Sequence, residues 1–297
     1  MNPAAAPSWV KRAVAAILAA TGVTSAGFTL QRLSWMPFIR VVYYHDVPVR
    51  LQSAFREQLR LFERLFVPAA RHDLEVLLRQ GTWPHAKPGI ILTFDDGLRS
   101  HSEVAAPLLE EFGFQGWFFV PAGLVTLDPT LQPEAAVRHN VQHEWDTGSD
   151  PRVFMTRQQL VELARRHVVG CHTETHERLS RQLSAEQLHA QIPGAQLRLE
   201  SLLGQRVDAF SWVGGEEWAY CAPAMREIAG RFDYAFTTNT AVTRPGTRAL
   251  EINRTHIEPG FPPSLVRLQL SGLMDLYYRN KRRRLAPQFA LEPGRVR

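Results

Sequence analysis

Apolar and polar residues follow two patterns along the chain, which predict an alternation of strands and helices. Short apolar runs are typical of strands buried on both faces, and longer segments with one apolar face are typical of helices. Such an alternation predicts parallel β-α-β units. The predicted strands are residues 38–47, 89–94, 115–120, 168–171, 209–213, 234–238 and 252–257, and the predicted helices are 55–66, 74–79, 103–112, 156–166, 184–203, 222–229 and 265–278.

One predicted strand ends in two adjacent carboxylates. The apolar run at 89–94 is followed by Asp95, Asp96 and Gly97. Neighbouring residues on an extended segment point to opposite sides. We therefore expect different roles for the two carboxylates, one facing a bound ion and the other facing a substrate. A plain Asp-Gly turn without chemistry is the alternative.

Two histidines follow the predicted strand at 168–171. His172 and His176 are four residues apart, and on one helical turn this spacing places both imidazoles on the same face. With Asp96 they would supply two nitrogens and one oxygen and leave positions open for water and substrate, as in a catalytic zinc site. A solvated or packed histidine pair is the alternative.

These two segments resemble the motifs of a known family. Thr93-Phe94-Asp95-Asp96-Gly97 and His172-Thr173-Glu174-Thr175-His176 are similar, in that order, to the first two motifs of the NodB-like polysaccharide deacetylases, carbohydrate esterase family four. Residues 42–47 resemble the Tyr-His-x-Val strand that opens many members. The likeness covers roughly residues 38–260. It implies a distorted (β/α)7-type barrel at 37–262, with an N-terminal basic and apolar helical segment at 1–36 and a C-terminal helix and basic tail at 263–297.

The resemblance implies a metal-dependent hydrolase that removes an N-acetyl group from an amino sugar of a polysaccharide or glycan. Asp96, His172 and His176 would hold a divalent ion, with zinc expected and cobalt or nickel as alternatives. Asp95 would act as the general base. A deacylase of a lipid-linked or small amino sugar is one alternative function, and a catalytically weak glycan-binding relative is another.

The family's third motif is altered in this chain. Members usually carry Arg-x-Pro-Tyr or Ala-Tyr-Pro-Tyr-Gly where this chain reads Ser211-Trp212-Val213-Gly214-Gly215. The arginine that would brace the base is therefore missing from this position. The backbone N–H of Gly214 is still expected to face the developing oxyanion, since that role needs no side chain.

A replacement for the missing arginine is expected in the last predicted strand. Arg254 and His256 fall on one face of the strand at 252–257, where one would brace Asp95 and the other would protonate the leaving amine. A surface arginine and a rim histidine are the alternative. His45, next to Asp46, is a second candidate for the acid or a residue that supports the site from behind.

The segment 121–155 contains four prolines and is expected to form a long functional loop. Trp145 in this segment is expected to stack on a sugar face. We expect His139, His143 and Glu144 not to form a second metal site, because no strand end positions them.

Composition excludes few classes. The chain has 297 residues, 45% of them hydrophobic, and a net charge of +5 without a basic stripe interleaved with aromatics, so nucleic acid is not an expected partner. Cys171 and Cys221 form no disulfide framework, and Cys171 is expected to pack in the core. The sequence leaves the oligomeric state open.

The two ends of the chain suggest a membrane surface as a partner. Residues 13–31 contain no charged residue. They fit a secretory signal or a short helix on a membrane or on the domain, and we expect no cleavage. The basic run at 281–284 would contact anionic lipid or form a solvated tail. We expect a cytoplasmic location or one peripheral to the inner membrane, with export to the periplasm as the alternative.

Overall fold

Nine strands among the described residues form one sheet in which every pairing is parallel. The structure is a computed structural model that describes residues 9–33, 37–144 and 150–290. The strands are β1 (Ile39–Tyr44), β2 (Val67–Pro68), β3 (Gly89–Phe94), β4 (Gly116–Val120), β5 (Val168–Cys171), β6 (Ala209–Ser211), β7 (Tyr234–Thr237), β8 (Ile252–Asn253) and β9 (Thr255–His256). Their order in the sheet is β8-β7-β6-β5-β4-β3-β1-β9, and β2 pairs with β3 outside this path.

The sheet closes into a nearly complete barrel at one short segment. β8 pairs with β7 at one edge and β9 pairs with β1 at the other edge, and only Arg254 separates β8 from β9. The Arg254 N–H donates to the Thr237 carbonyl (3.1 Å), and the Ile257 N–H donates to the Tyr43 carbonyl (3.0 Å). The predicted barrel is confirmed, whereas the strand predicted at 252–257 is divided at Arg254.

Alternate strand residues face the inside of the barrel and the surrounding helices. Ile91 of β3 and Ile252 of β8 belong to an inner apolar cluster, whereas Leu92 of β3 belongs to the larger cluster between strands and helices. Inner positions continue at every second residue. Asp95 and Arg254 therefore follow Ile91 and Ile252 on the inside.

Thirteen α-helices lie around the barrel in the described part of the chain. They are α1 (Trp9–Ala20), α2 (Val23–Leu33), α3 (Gln52–Leu65), α4 (Arg71–Gln80), α5 (Ala106–Glu111), α6 (Gln132–Arg138), α7 (Arg157–Leu163), α8 (Ala185–His189), α9 (Ala195–Leu203), α10 (Ala222–Ala229), α11 (Pro263–Leu270), α12 (Leu273–Tyr277) and α13 (Arg279–Phe289). The helix predicted at 184–203 is confirmed with its Ser184 cap, and a wider turn at Pro193 divides it into α8 and α9.

Two predicted elements need correction. The segment 121–155 is not a plain loop, because α6 occupies its middle; the predicted sugar contact at Trp145 lies outside the described residues. The helix predicted at 265–278 is two helices, α11 and α12. Gly272 between them has a left-handed φ of 84°, and a Cβ there would overlap the Gln31 side chain, so the break brings α2 close to this turn.

The basic run at 281–284 lies in α13, and its first two residues contact the barrel, so a solvated tail is wrong for Lys281 and Arg282. The Lys281 ammonium donates to the Gly215 carbonyl, and the Arg282 guanidinium donates to the Thr240 carbonyl. Arg284 pairs with Glu217 at 2.6 Å. These contacts hold α13 beside the loops that follow β6 and β7.

The two N-terminal helices pack on α11. Ala15 of α1 and Thr24 of α2 are buried, and a Cβ at Gly27 would lie 2.8 Å from the Ser271 carbonyl oxygen, so α2 approaches the end of α11 closely. Taken one by one, the described helices are too short or too polar to cross a membrane. α1 and Val23–Gln31 of α2 pass such a test of length and composition only as a pair, and that pair is bent by 73°.

Candidate active site

The carboxylate of Asp95 and the guanidinium of Arg254 form a two-point ion pair inside the barrel. Arg254 Nη1 donates to Asp95 Oδ1 (2.7 Å), and Nη2 donates to Oδ2 (2.8 Å). The Asp95 side chain is almost fully buried, and the Arg254 side chain is completely buried. The structure thus brings together the two residues that the sequence predicts as base and brace.

Every nitrogen of the Arg254 guanidinium is held in place. Besides Asp95, Nη1 donates to Thr93 Oγ1 (3.0 Å), Nη2 donates to Ser211 Oγ (2.8 Å), and Nε donates to the Thr237 carbonyl (3.2 Å). The planar fork of arginine suits such a set of fixed acceptors, which a lysine ammonium does not match. Ser211 stands where the altered third motif begins, so a small hydroxyl at this position leaves room for an arginine that comes from the other edge of the sheet.

The surroundings of Asp95 favour its ionised form. Burial raises the pKa of Asp95, but the Arg254 guanidinium, together with His172 and His45, outweighs burial and holds the pKa below its usual value. Asp95 is therefore an anion at neutral pH, aimed by a rigid partner.

Asp96, His172 and His176 converge beside Asp95. Asp96 Oδ1 lies 3.1 Å from His176 Nε2 and 3.5 Å from His172 Nε2. The three candidate ligand atoms, one from each residue, all lie within 4.8 Å of one another. These are the three residues that the sequence predicts as metal ligands.

The two histidines do not lie on a helical turn, so this part of the prediction is wrong. The chain after β5 forms an irregular turn in which Thr173 (φ 64°) and His176 (φ 59°) are left-handed. The Glu177 N–H donates to Thr173 Oγ1 (3.0 Å) and closes this turn. The two imidazoles therefore come together because the chain reverses direction in this turn. They do not share a face of a helix.

Left-handed backbone also sets the direction of Asp96. On a continuing strand Asp96 would face the helices as Phe94 does, but its φ of 78° ends the strand alternation. Asp96, Asn140, Thr173 and His176 are the four non-glycine residues with positive φ in the described ranges. All of them are at or next to the candidate metal cluster. Such conformations cost about 1 kcal/mol or more each and are typical of functional sites.

Backbone carbonyls fix the tautomer of both histidines. His172 Nδ1 donates to the Ser211 carbonyl (2.8 Å), and His176 Nδ1 donates to the His139 carbonyl (2.8 Å). In the neutral imidazole this leaves the lone pair on Nε2, which faces Asp96. Hydrogen bonds of this kind orient metal-ligating histidines in proteins.

The donor set fits a divalent cation. Asp96 Oδ1 is buried and has no hydrogen-bond partner in the described structure, and the two Nε2 atoms beside it are acceptors when the imidazoles are neutral. Three converging acceptors need a positive charge between them. Burial lowers the pKa of His176, but the Asp96 carboxylate raises it more, so a proton and a cation compete for the same place.

Gly214 lies at the wall of a cavity that Asp95 and Asp96 also line. Its φ is 78°, and a Cβ there would lie 2.6 Å from Glu216 Oε2 and 2.8 Å from Arg178 Nε. Thr238 Oγ1 donates to the Gly214 carbonyl (3.0 Å). The backbone of Gly214 is therefore fixed. Because Gly214 has no side chain, this backbone lies directly at the cavity wall.

A second polar cluster joins His45 and His256 through Glu258. Glu258 Oε1 lies 2.6 Å from His45 Nδ1 and 2.8 Å from His256 Nε2. Burial lowers the pKa of His45, but the Glu258 carboxylate raises it more, to about 9. His45 is therefore a cation at neutral pH. The sequence predicts His45 and His256 as candidate acids, and the structure places them together.

One cavity of about 630 Å³ is lined by the candidate base, the three candidate ligands, Gly214 and the two histidines His45 and His256. Residues that line it include Asp95, Asp96, His176, Gly214 and His256. Arg254 is absent from the lining, because it lies below Asp95 inside the barrel. The cavity is at the carboxyl ends of the strands, where barrel enzymes carry their chemistry.

The fold and the site define an α/β barrel that carries polar chemistry at the carboxyl ends of its strands. A family model described as polysaccharide deacetylase matches residues 83–235, just over half of the chain. The chain belongs to the polysaccharide deacetylase family, whose members remove acetyl groups from glycans. No curated protein matches the sequence.

Solved structures of deacetylases share the fold. IcaB from Ammonifex degensii is 20% identical, with a TM-score of 0.61 over 79% of this chain and 97% of that chain. The deacetylase PplD from Streptococcus pyogenes, in complex with acetate, is 19% identical, with a TM-score of 0.59 over 78% and 96%. A de-N-acetylase from Aggregatibacter actinomycetemcomitans is 13% identical, with a TM-score of 0.59 over 78% and 99%. At these identities the likeness shows a common fold.

Sequence reasoning missed several residues of the site. Glu258 lies two positions after His256 and four after Arg254, and this spacing on one strand face is the signal that could have found it. His139 contributes through its backbone carbonyl, and Tyr277 lines the cavity from α12. No side-chain pattern signals a carbonyl contact or a helix that returns to the site.

Proposed function

We propose that this protein is a metal-dependent deacetylase that hydrolyses the N-acetyl group of an amino sugar in a glycan. The observation that carries the proposal is the close placement of an ionised, arginine-held Asp95 beside the acceptor cluster of Asp96, His172 and His176. A base and a cation site in one cavity are what amide hydrolysis needs at neutral pH.

We assign Asp96, His172 and His176 as ligands of a divalent cation, zinc by the donor set, with cobalt and nickel as alternatives. When bound, the cation polarises the amide carbonyl and makes a water molecule more acidic. The carbonyls of Ser211 and His139 accept from Nδ1 of the two histidines and would leave both Nε2 atoms available to the ion.

Asp95 takes a proton from the attacking water as its oxygen bonds to the amide carbon. The Arg254 fork occupies one side of both carboxylate oxygens, so the remaining lone pairs have a fixed direction. A lowered pKa makes Asp95 a weak base that is always ionised, which suits a water that is already acidified. The backbone N–H of Gly214 is assigned to the oxyanion that develops on the former carbonyl oxygen.

The leaving nitrogen takes its proton from the imidazole pair of His45 and His256. When the C–N bond breaks, the amine needs a proton; the Glu258 carboxylate contacts both imidazoles and keeps a proton on His45 at neutral pH. His256 is our first assignment as the donor. Cleavage then yields acetate and a free amino sugar.

Elemental analysis combined with acetate release tests this proposal. We expect about one equivalent of metal on the purified protein, and chelator-sensitive acetate release from N-acetylglucosamine oligomers. Release that persists after complete metal removal would contradict the mechanism. A protein that takes up no metal after reconstitution, and that still binds glycan, would favour the glycan-binding alternative.

A further inference from the structure

Helices α1 and α2 present an apolar face to solvent. The exposed residues that form it, called the apolar face below, are Trp9, Val10, Val14, Ile17, Val23 and Leu30. Val10, Val14 and Ile17 lie within about 60° of one another around α1, given the 100° turn of each helical residue. Ile17 is 62% exposed and Trp9 is 79% exposed. Apolar side chains at this exposure imply a partner when they cluster on one surface.

The opposite sides of these helices are anchored to the barrel. Ala15 is fully buried against the rest of the chain, and Gln31 Nε2 donates to the Leu270 carbonyl (3.3 Å). The Arg267 guanidinium lies over the Phe28 ring at 5.5 Å. The apolar face is therefore held in a fixed orientation relative to the active-site cavity.

The apolar face reaches the mouth of that cavity. Val10 and Val14 line the same cavity as Asp95 and His176. Tyr277 of α12 also lines the cavity and is 76% exposed, and its neighbour Leu276 is 69% exposed. Exposed apolar side chains from both α1 and α12 thus lie at this cavity.

Positive charge accompanies the apolar surface. The first 45 residues contain no Asp or Glu. Lys11 of α1 and Lys281 of α13 line the cavity together with Val10 and Val14. An apolar helix face with lysines beside it and no acidic residue in its own segment matches an anionic lipid surface, where the apolar side chains enter the headgroup boundary and the cations meet lipid phosphates.

We propose that the apolar face, with Lys11 and Lys281 beside it, docks on an anionic lipid bilayer. The cavity then opens at the membrane surface and takes N-acetylated amino sugars that are held there by a lipid anchor. The choice of substrate rests on the proposed deacetylase function, whereas docking does not. The 73° bend between α1 and α2 and their packing on α11 suit helices that lie along a surface.

Vesicle sedimentation tests docking without any assay of activity. We expect the protein to bind vesicles of equimolar phosphatidylcholine and phosphatidylglycerol, and to bind pure phosphatidylcholine much less. Ile17→Glu should weaken binding about tenfold, since a carboxylate replaces a side chain that enters the bilayer. Leu197→Glu is the matched control, because Leu197 is 57% exposed on α9, away from the apolar face, and it should bind as the wild type does.

Acetate release from two forms of one substrate tests the choice of glycan. With an N-acetylglucosamine glycolipid in the same vesicles, Ile17→Glu should lower release, and with the water-soluble oligomer it should leave release unchanged. Equal vesicle binding by wild type and Ile17→Glu would overturn docking. Docking would also be overturned if the wild type binds no vesicles and forms a dimer that Ile17→Glu dissociates. The apolar face would then join two copies of the chain. Vesicle binding without release from either substrate would overturn the lipid-anchored substrate together with the proposed function and leave docking in place.

Discussion

Arg254 donates to both carboxylate oxygens of Asp95 although the two residues are 159 positions apart in the sequence. The pair forms because β3 and the segment between β8 and β9 both direct inner residues to the same level of the barrel. Arg254 comes from the point where the barrel closes, so the candidate base is held by the residue that joins the two edges of the sheet.

Replacing Arg254 by lysine is expected to shift the pH dependence of activity. A lysine ammonium keeps a positive charge but cannot donate to both oxygens of Asp95. The pKa of Asp95 should then rise, so the acidic limb of kcat/KM should move to higher pH, and the rate should fall about 100-fold through lost alignment. Steady-state kinetics across pH measures both effects.

Arg206→Lys serves as the control for this variant, because the Arg206–Asp233 pair is exposed and remote from the site. An Arg254→Lys enzyme with an unchanged acidic limb would show that Arg254 does not govern the titration of Asp95. Arg254→Ala should instead lower the free energy of unfolding by roughly 3–5 kcal/mol, because it leaves a buried carboxylate without its partner.

Asp95→Asn and His176→Ala are expected to separate catalysis from metal binding. Asp95→Asn removes the base but none of the assigned ligands, so it should keep its metal and lose activity by about 10²–10⁴ in kcat. His176→Ala should lose both metal and activity. Elemental analysis of the purified variants measures their metal content. His72→Ala is the control, because His72 is exposed. Full metal content in the His176 variant would count against the ligand assignment.

Gly214→Ala is expected to impair activity beyond its cost in stability. The new Cβ would collide with Glu216 and Arg178 at the cavity wall and move the backbone N–H. Gly204→Ala is the matched control, because Gly204 has a similar φ of 68° with open space around it. Both variants should lose about 1–2 kcal/mol of stability. Only Gly214→Ala should lower kcat, and equal kinetics in the two variants would remove Gly214 from the mechanism.

Glu258→Gln is expected to change the pH dependence of stability. The pKa of His45 in the folded protein is about 9, above its ordinary value of 6.5. Its contribution is therefore fully present below pH 6.5 and is lost as pH rises through 9. The pKa of Glu258 is about 2: burial raises it, but His45 and His256 lower it more. Its contribution is present above its ordinary value of 4.5 and is lost as pH falls through 2.

The wild type should therefore exceed Glu258→Gln in stability by roughly 1–3 kcal/mol between pH 4.5 and 6.5. The difference should shrink as pH passes 9. Denaturant unfolding over this range measures it. Glu217→Gln, which breaks an exposed pair with Arg284, should give a difference that does not depend on pH in this range. A constant difference for Glu258→Gln as well would contradict the raised pKa of His45.

Local patterns were enough to find most of the fold and the chemistry-bearing residues. The continuous apolar run of β3 and the helical periodicity of α3 depend on neighbours in sequence, so strands and helices were predicted with their order. Asp96, His172 and His176 were found because each follows an apolar strand, and parallel strands end at one edge of a sheet. The helical turn expected for the two histidines was wrong because spacing alone does not distinguish a helix from a left-handed turn.

The sequence by itself determined the order of strands and helices, the two motifs and the candidate base and ligands. Each of these can be recognised within a short segment of the chain. The tertiary structure decided between the two expected places of Arg254, beside Asp95 or at the surface, and it alone placed Glu258 between His45 and His256 and the apolar face at the mouth of the cavity. These contacts join residues from distant segments. Their distances depend on the order of the strands and the closure of the barrel, which no single segment encodes.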